Sequence, residues 1–152
     1  MSGSLETLDS LLKAVNRELH RIVNSVMDEY EMPMPGMAVL SHVLKEPGLS
    51  VSQISRKTNM AKSHVSMTVK SLTRSGFLKK QSDCHDQRLV RVYPTERART
   101  AHDEISNAIR SEVSRALAEL SQDEIGRLTE ALKSLNAVLS RSRARERDQT
   151  TV

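Results

Sequence analysis

Between residues 62 and 75, Lys62, Ser63, His64, Ser66, Met67, Lys70 and Arg74 surround three apolar positions, Val65, Val69 and Leu72, spaced i, i+4 and i+7. A helix with one narrow buried stripe leaves its other faces free for a partner. Short hydroxyls and an imidazole let a backbone approach closely and offer donors and acceptors, while Lys and Arg meet anionic groups. That combination suits the major groove of duplex DNA, where phosphate contacts supply most of the affinity and base edges supply the sequence information. A second cluster follows at His85, Asp86 and Arg88. An arginine at the tip of a hairpin can reach a narrow minor groove, where negative potential is focused.

The elements that must position these groups are legible from periodicity. Leu5, Leu8, Leu12, Val15, Leu19, Ile22, Val26 and Tyr30 recur in steps of 3 or 4, which predicts a long amphipathic helix over 5–30. Pro33 and Pro35 end it, and a shorter helix carrying Met37, Leu40, Val43 and Leu44 closes at Glu46-Pro47-Gly48. Ser52 is placed to cap a third helix around Ile54, with Thr58-Asn59 as the turn before the helix of residues 62–75. Gly76 is the expected stop of that helix. The period then drops to about 2. Phe77-Leu78-Lys79-Lys80 and Leu89-Val90-Arg91-Val92-Tyr93 read as two strands joined by a long polar loop. Thr95 caps a fifth helix with Ile105, Ile109, Val113 and Leu117. Ser121-Gln122-Asp123-Glu124 is a capping box opening a sixth, with Ile125, Leu128, Leu132, Leu135 and Leu139. Residues 141–152 are polar without an apolar stripe and are expected to be disordered. The fold class is mainly α with a small β-hairpin (α+β), and helix–turn–helix followed at once by a hairpin is the winged helix-turn-helix order.

Charge and composition narrow the function. Residues 51–100 hold 11 Lys/Arg and 3 Asp/Glu, while both flanking thirds are mildly acidic, within a net charge of +4 over 152 residues. A compact basic segment is the footprint of a polyanion-binding surface. Aromatics are 2% of the chain, too few for stacking single-stranded nucleic acid. One Cys excludes a disulfide scaffold or a Cys-based zinc site within one chain, and the five His show no metal-ligand spacing. No Gly-rich phosphate loop, paired-carboxylate or nucleophile–base signature is present, so neither enzyme activity nor a cofactor or metal is expected. No apolar run reaches the ~18 residues of a membrane span, and the acidic N-terminus does not read as a signal peptide. The expectation is a cytoplasmic protein.

Val51-Ser52-Gln53-Ile54-Ser55, Lys62-Ser63-His64-Val65-Ser66, Leu72-Thr73-Arg74-Ser75-Gly76-Phe77-Leu78, Asp83-Cys84-His85-Asp86-Gln87-Arg88 and Thr95-Glu96-Arg97 together resemble the MarR (multiple antibiotic resistance regulator) family. The resemblance spans residues 5–140, and its most specific part is Leu-x-x-x-Gly-Phe-Leu followed by Asp-x-x-Asp-x-Arg. It implies one domain over 1–152, with a winged helix-turn-helix over 35–95 flanked by dimerisation helices over 5–30 and 101–140. It implies a homodimeric transcriptional regulator, more often a repressor, on a pseudo-palindromic double-stranded DNA operator. Residues 62–75 would be the recognition helix and 77–93 the wing. Arg88 would reach the minor groove, with Asp86 orienting it through a charge-assisted hydrogen bond. The resemblance further implies release of DNA by a small anionic or phenolic ligand, for which Arg17, His20, Arg21 and His42 are the candidate residues. The chain departs from the family pattern at His85, where Arg is common, and at Ala61, where Ser or Thr usually caps. It departs again at Pro94-Thr95-Glu96-Arg97-Ala98, in place of the usual exit from the wing.

Each feature also has a plainer reading. The residues of the 62–75 helix can be a solvated face, Asp86 and Arg88 a surface ion pair, and Arg17, His20, Arg21 and His42 ordinary helix surface. Cys84 reads first as an exposed, incidental thiol, and second as an oxidisable one beside cations. Met27, Met32, Met34, Met37 and Met60 read as adaptable core filler. The alternative function is a winged-helix adaptor that binds protein and not specific DNA, which would leave the basic middle third without a use.

Overall fold

The computed structural model describes residues 2–149, with side chains described for 3–142. In chain order the elements are α1 (Ser2–Glu29), α2 (Met34–Lys45), α3 (Val51–Thr58), α4 (Lys62–Arg74), β1 (Leu78–Ser82), β2 (Val90–Pro94), α5 (Glu96–Ala116) and α6 (Gln122–Gln149). Two compact units divide the chain, one ending at Val113 and the other beginning at Ser114.

The first unit holds the core. Val39, Leu40 and Val43 of α2, Ile54 of α3, Val65, Val69 and Leu72 of α4, Leu78 of β1 and Val92 of β2 are buried together. Val26 and Met27 from α1 join them, with Ala98 and Ile105 from α5. Burying a side chain of this size contributes about 1.5–3 kcal/mol. The stripe expected along α4 is therefore fixed in place by a cost comparable to the stability of a whole small domain. Met27 and Met32 are core filler as expected, whereas Met34 stands 42% exposed.

Local signals set the boundaries. The three-residue turn between α3 and α4 begins at Asn59, which takes the left-handed conformation at φ 55°, one of the few side chains that tolerate it. Ser55 Oγ donates to the Met60 carbonyl at 2.7 Å and holds the turn against α3. The exit of α4 is a Schellman motif. Gly76, at φ 77°, donates its N–H to the Thr73 carbonyl at 3.1 Å, and the Phe77 N–H reaches the Leu72 carbonyl at 2.9 Å. Arg97 lies over the Phe77 ring, 4.8 Å from its centroid.

β1 and β2 pair antiparallel, Leu78 opposite Pro94 and Ser82 opposite Val90. Sequence patterning placed these strands one or two residues earlier. It missed a third edge altogether: Leu49 bridges Val92, with the Val92 N–H donating to the Leu49 carbonyl at 3.0 Å and the Gly48 N–H to the Val92 carbonyl at 2.8 Å. Gly48 is at φ 91° with the Tyr93 ring where a Cβ would sit, at 3.2–3.3 Å. Thr95 does cap α5, accepting the Ala98 N–H at 3.2 Å. Its hydroxyl also donates to the Gly76 carbonyl at 2.8 Å, tying α5 to the exit of α4.

Two expectations need correction. The cap of α3 is Ser50, not Ser52, which lies within the helix. Ser50 Oγ accepts the Gln53 N–H at 3.3 Å, and the Gln53 side chain accepts the Ser50 N–H at 2.8 Å. This reciprocal capping box starts two residues before the position that patterning selected. The C-terminal segment is the second. Instead of being disordered from residue 141, α6 continues to Gln149. Arg, Ala, Glu and Gln, all strong helix formers, dominate its composition there, so propensity extends the helix without an apolar stripe. Residues 150–152 of that expectation lie outside the described residues.

In the second unit, α6 opens on the expected capping box. Ser121 Oγ accepts the Glu124 N–H at 3.3 Å, and the Glu124 carboxylate accepts the Ser121 N–H at 2.8 Å. That N–H and the Ser121 hydroxyl hold the Glu124 carboxyl below its ordinary pKa. Replacing Ser50 with Ala should lower unfolding stability by about 1 kcal/mol, the usual loss for an N-cap. Ser52→Ala, at a half-buried position inside α3, should cost markedly less. Urea unfolding of the two variants at one protein concentration checks the assignment.

Candidate nucleic-acid interface

The buried stripe of α4 dictates what the helix presents. Met67 lies two residues from both Val65 and Val69, roughly 160–200° around the axis at 3.6 residues per turn. Ser63, Met67, Lys70 and Arg74, at i, i+4, i+7 and i+11, form the crest of the outward face. Lys62, Ser63, His64, Ser66, Met67, Lys70 and Arg74 are all exposed. The structure thus brings every predicted α4 residue onto one continuous outer surface. Ala61 occupies the N-cap position and supplies no side-chain acceptor. The first amide protons of α4 are free to meet an anion, and the positive end of the helix dipole adds to that.

The electrostatics reach beyond α4. From Pro47 to Ser82 the chain contains no Asp or Glu, while Arg56, Lys57, Lys62, Lys70, Arg74, Lys79 and Lys80 fall within that stretch. Lys57 is paired with Glu46 at 2.7 Å. Among the described residues Lys62, Lys70 and Arg74 make no ion pair. Unneutralised cations on one face attract a polyanion without selecting its sequence.

The loop between β1 and β2 is organised by Asp83, a residue that sequence reasoning quoted in a motif but gave no role. Its Oδ1 accepts the His85 N–H at 2.8 Å and the Asp86 N–H at 3.1 Å, while Oδ2 accepts Arg91 Nε at 2.7 Å. Arg91 in turn donates to the Gly48 carbonyl at 3.1 Å. One carboxylate, its side chain only 14% exposed, therefore shapes the loop and fastens it to the segment before α3. A signal was present in the Asp-x-His-Asp order, because Asp side chains accept backbone N–H groups two residues ahead.

Asp86 does not orient the Arg88 guanidinium as the resemblance implied. Its Oδ1 accepts the backbone N–H of Arg88 at 3.0 Å, so Asp86 fixes the turn and leaves the side chain alone. Among the described residues the exposed Arg88 guanidinium has no hydrogen-bond or ion-pair partner. His85 and Cys84 are exposed on the same loop.

The four ligand candidates do not all meet. Arg17 and Arg21 line an open groove on α1 with Asn24, Ser25 and Asp28, and Arg21 is paired with Glu18 there. Neither His20 nor His42 lines that groove. A separate cavity of about 280 Å³ lies between the α1–α2 turn and α4. Its apolar walls are Met32, Pro33, Pro35, Gly36, Met67, Leu72 and Phe77, and Glu31, His64 and Ser71 are among those that supply polar atoms. Sequence reasoning missed it because its walls come from separate elements. Among the described residues no group of three or more His, Cys, Asp or Glu side chains could hold a metal ion. No described helix is long and apolar enough to cross a membrane.

Residues 32–89, from the α1–α2 turn to the end of the wing loop, match the model of the MarR family. The HTH-type transcriptional regulator TcaR of Staphylococcus aureus is 26% identical over 139 residues, covering 90% of this chain and 91% of the relative. The HTH-type transcriptional regulator MgrA of the same organism is 27% identical over 128 residues, covering 84% and 86%. The structure of a MarR family protein from Bacillus stearothermophilus shares the fold with a TM-score of 0.82 at 21% identity, over 92% of this chain and 98% of that one.

Asp83 gives a pH test of the wing. The Arg91 hydrogen bond, then the His85 and Asp86 amides, pull its pKa from 3.8 to about 2. Because the folded value is depressed, its contribution to stability is complete above 3.8 and disappears as the pH falls from 3.8 towards 2. The amide shifts of His85 and Asp86 should titrate with a midpoint of about 2. In Asp83→Asn this titration should vanish. A wild-type midpoint at the ordinary value would show that the carboxylate does not hold the loop.

Proposed function

We propose that this chain is a MarR-family DNA-binding transcriptional regulator that works as a homodimeric repressor on a pseudo-palindromic operator. The observation that carries the reading is the outward face of α4. It lies opposite the buried stripe and contains no acidic residue, and the wing beside it ends in an unpaired Arg88. In this reading α4 enters the major groove, with Ser63, His64, Ser66 and Met67 at base edges and Lys62, Lys70 and Arg74 at phosphates. Arg88 and His85 reach into the adjacent minor groove. The protein acts on chromosomal DNA in the cytoplasm, and its chemistry is recognition and not catalysis. The adaptor alternative is not favoured, since the two curated relatives are named transcriptional regulators.

The dimer rests on apolar surface that the chain leaves uncovered. Leu5, Leu8, Leu12, Val15 and Leu19 along α1 are 40–68% exposed, and Leu128, Leu132 and Leu139 along α6 are 43–56% exposed. Each set recurs at helical spacing, and contiguous exposed apolar surface of this kind marks an interaction site. A two-fold interface burying them would set two copies of α4 about one helical turn of DNA apart. A small ligand is proposed to modulate binding from the cavity beside α4, whose floor includes Leu72 of the helix itself. Ligand binding there would act on the recognition surface directly.

Selection of genomic fragments with competitor DNA at two salt concentrations tests the function. A short pseudo-palindrome should be enriched, and log Kd should rise with log salt by roughly 0.9 per phosphate neutralised. Lys70→Ala should weaken binding to all sequences and reduce that slope by about 1, whereas Arg88→Ala should lose most affinity at A·T-rich flanks. Weak binding with no enriched sequence would overturn the reading. For the dimer, the wild type should sediment at twice the 17.0 kDa of the chain, and Leu12→Glu should shift it towards the monomer.

A further inference from the structure

Met67 is 71% exposed, more than any other large apolar side chain described. The other strongly exposed apolar residues of the long helices recur as stripes. Met67 belongs to no such stripe: its helix neighbours at three and four residues' distance are Ser63, His64, Lys70 and Ser71, and its side chain also borders the cavity beside α4. Met27 and Met32 are in the core at 2% and 3% exposure, and Met34 stands at 42%, well below Met67. Met67 is also diametrically opposite Val65 and Val69, at the middle of the crest that runs from Ser63 to Arg74.

Resting on the DNA-binding reading above, we infer that Met67 is a specificity determinant that reads a thymine 5-methyl group in each operator half-site. A thioether has no donor and is only a weak acceptor, so it cannot decode the hydrogen-bonding pattern of a base pair. The major groove displays one apolar group among the four bases, the methyl at C5 of thymine. The flanking Ser63, Ser66 and Ser71 are short and leave the Met67 side chain as the tallest apolar feature of the face. Lys70 and Arg74, longer and charged, are drawn to the phosphates and do not compete for that methyl. Burying one methyl group against the side chain corresponds to roughly fourfold in affinity.

The experiment uses the full-length protein and the sequence enriched by genomic selection. Each thymine is replaced in turn by deoxyuridine, which removes the methyl and changes no hydrogen-bonding group. In the wild type, one thymine per half-site should show a Kd raised roughly fourfold by the replacement. In Met67→Ala and Met67→Gln the same replacement should leave Kd unchanged, while the salt slope of both variants stays at the wild-type value. An unchanged slope shows that the variants are folded and dock normally. Equal sensitivity to deoxyuridine in wild type and variants would overturn the assignment to Met67 and leave the regulator reading standing. A wild type insensitive at every thymine would do the same. Failure of the selection to enrich any sequence would overturn both.

Discussion

The seam formed by Val65, Val69 and Leu72 is the constraint from which the rest of the site follows. These three side chains are 0–5% exposed, and they lock α4 against α2 and α3 in one rotational setting. Turning the helix by one residue, about 100°, would expose part of the seam and bury polar groups without partners. Each such group costs more than a surface contact with DNA returns. The outward face is thus chosen by the core, and the chemistry at positions 63, 66, 67, 70 and 74 could be set without regard to folding. That freedom explains how a helix can carry so many polar and charged residues, and an uncapped N-terminus, while remaining well placed.

The wing is held by a different kind of interaction. Its strands are short, and only Leu78 and Val92 bury fully, so packing alone would leave the loop weakly defined. Backbone pairing of Val92 with Leu49 anchors the base of the hairpin. The Asp83–Arg91–Gly48 chain of hydrogen bonds then extends the anchorage towards the tip. Asp83 neutralises Arg91 but not Arg88, so one arginine of the wing is structural and the other is left unpaired. Asp86, which accepts only the Arg88 backbone N–H, leaves the Arg88 guanidinium at the tip free to meet an anion.

Periodicity was sufficient for the order and type of the elements in the first unit, because its longer helices repeat apolar residues at a spacing of 3 or 4 and its strands at about 2, whether the stripe is buried, as on α4, or left exposed, as along most of α1. It was sufficient for the exposed face of α4 too, since exposure there is the complement of the buried stripe. What it could not supply came from two sources. Some features depend on contacts distant in sequence: the Leu49–Val92 bridge, the Arg91–Gly48 bond and the cavity walled by the α1–α2 turn and α4. Others depend on local choices between near-equivalent residues. Ser50 and Ser52 can both cap a helix, and only the reciprocal bond from Gln53 distinguishes them. Asp83 and Asp86 can both take a neighbouring arginine, and strand register gives Arg91 to Asp83. The segment after residue 141 failed for a third reason, because absence of an apolar stripe says nothing against a helix that propensity alone supports.

Affinity and selectivity are separately located on this surface. The cations of residues 47–82 act over a Debye length and treat all duplex sequences alike. Discrimination must come from groups that touch base edges, and in the proposed docking the candidates on α4 are few: two serines at the front, an imidazole and a thioether. Serine bonds to several bases almost equally, so it positions more than it selects. The imidazole of His64 can donate or accept at each ring nitrogen, which also limits what it rejects. An apolar group in the centre of the face is the component that discriminates by exclusion. A polar base edge pressed against it loses water without gaining a partner, while a methyl group gains contact. A surface that is nearly all hydrogen-bonding and charged derives its sharpest selectivity from the one position that is neither.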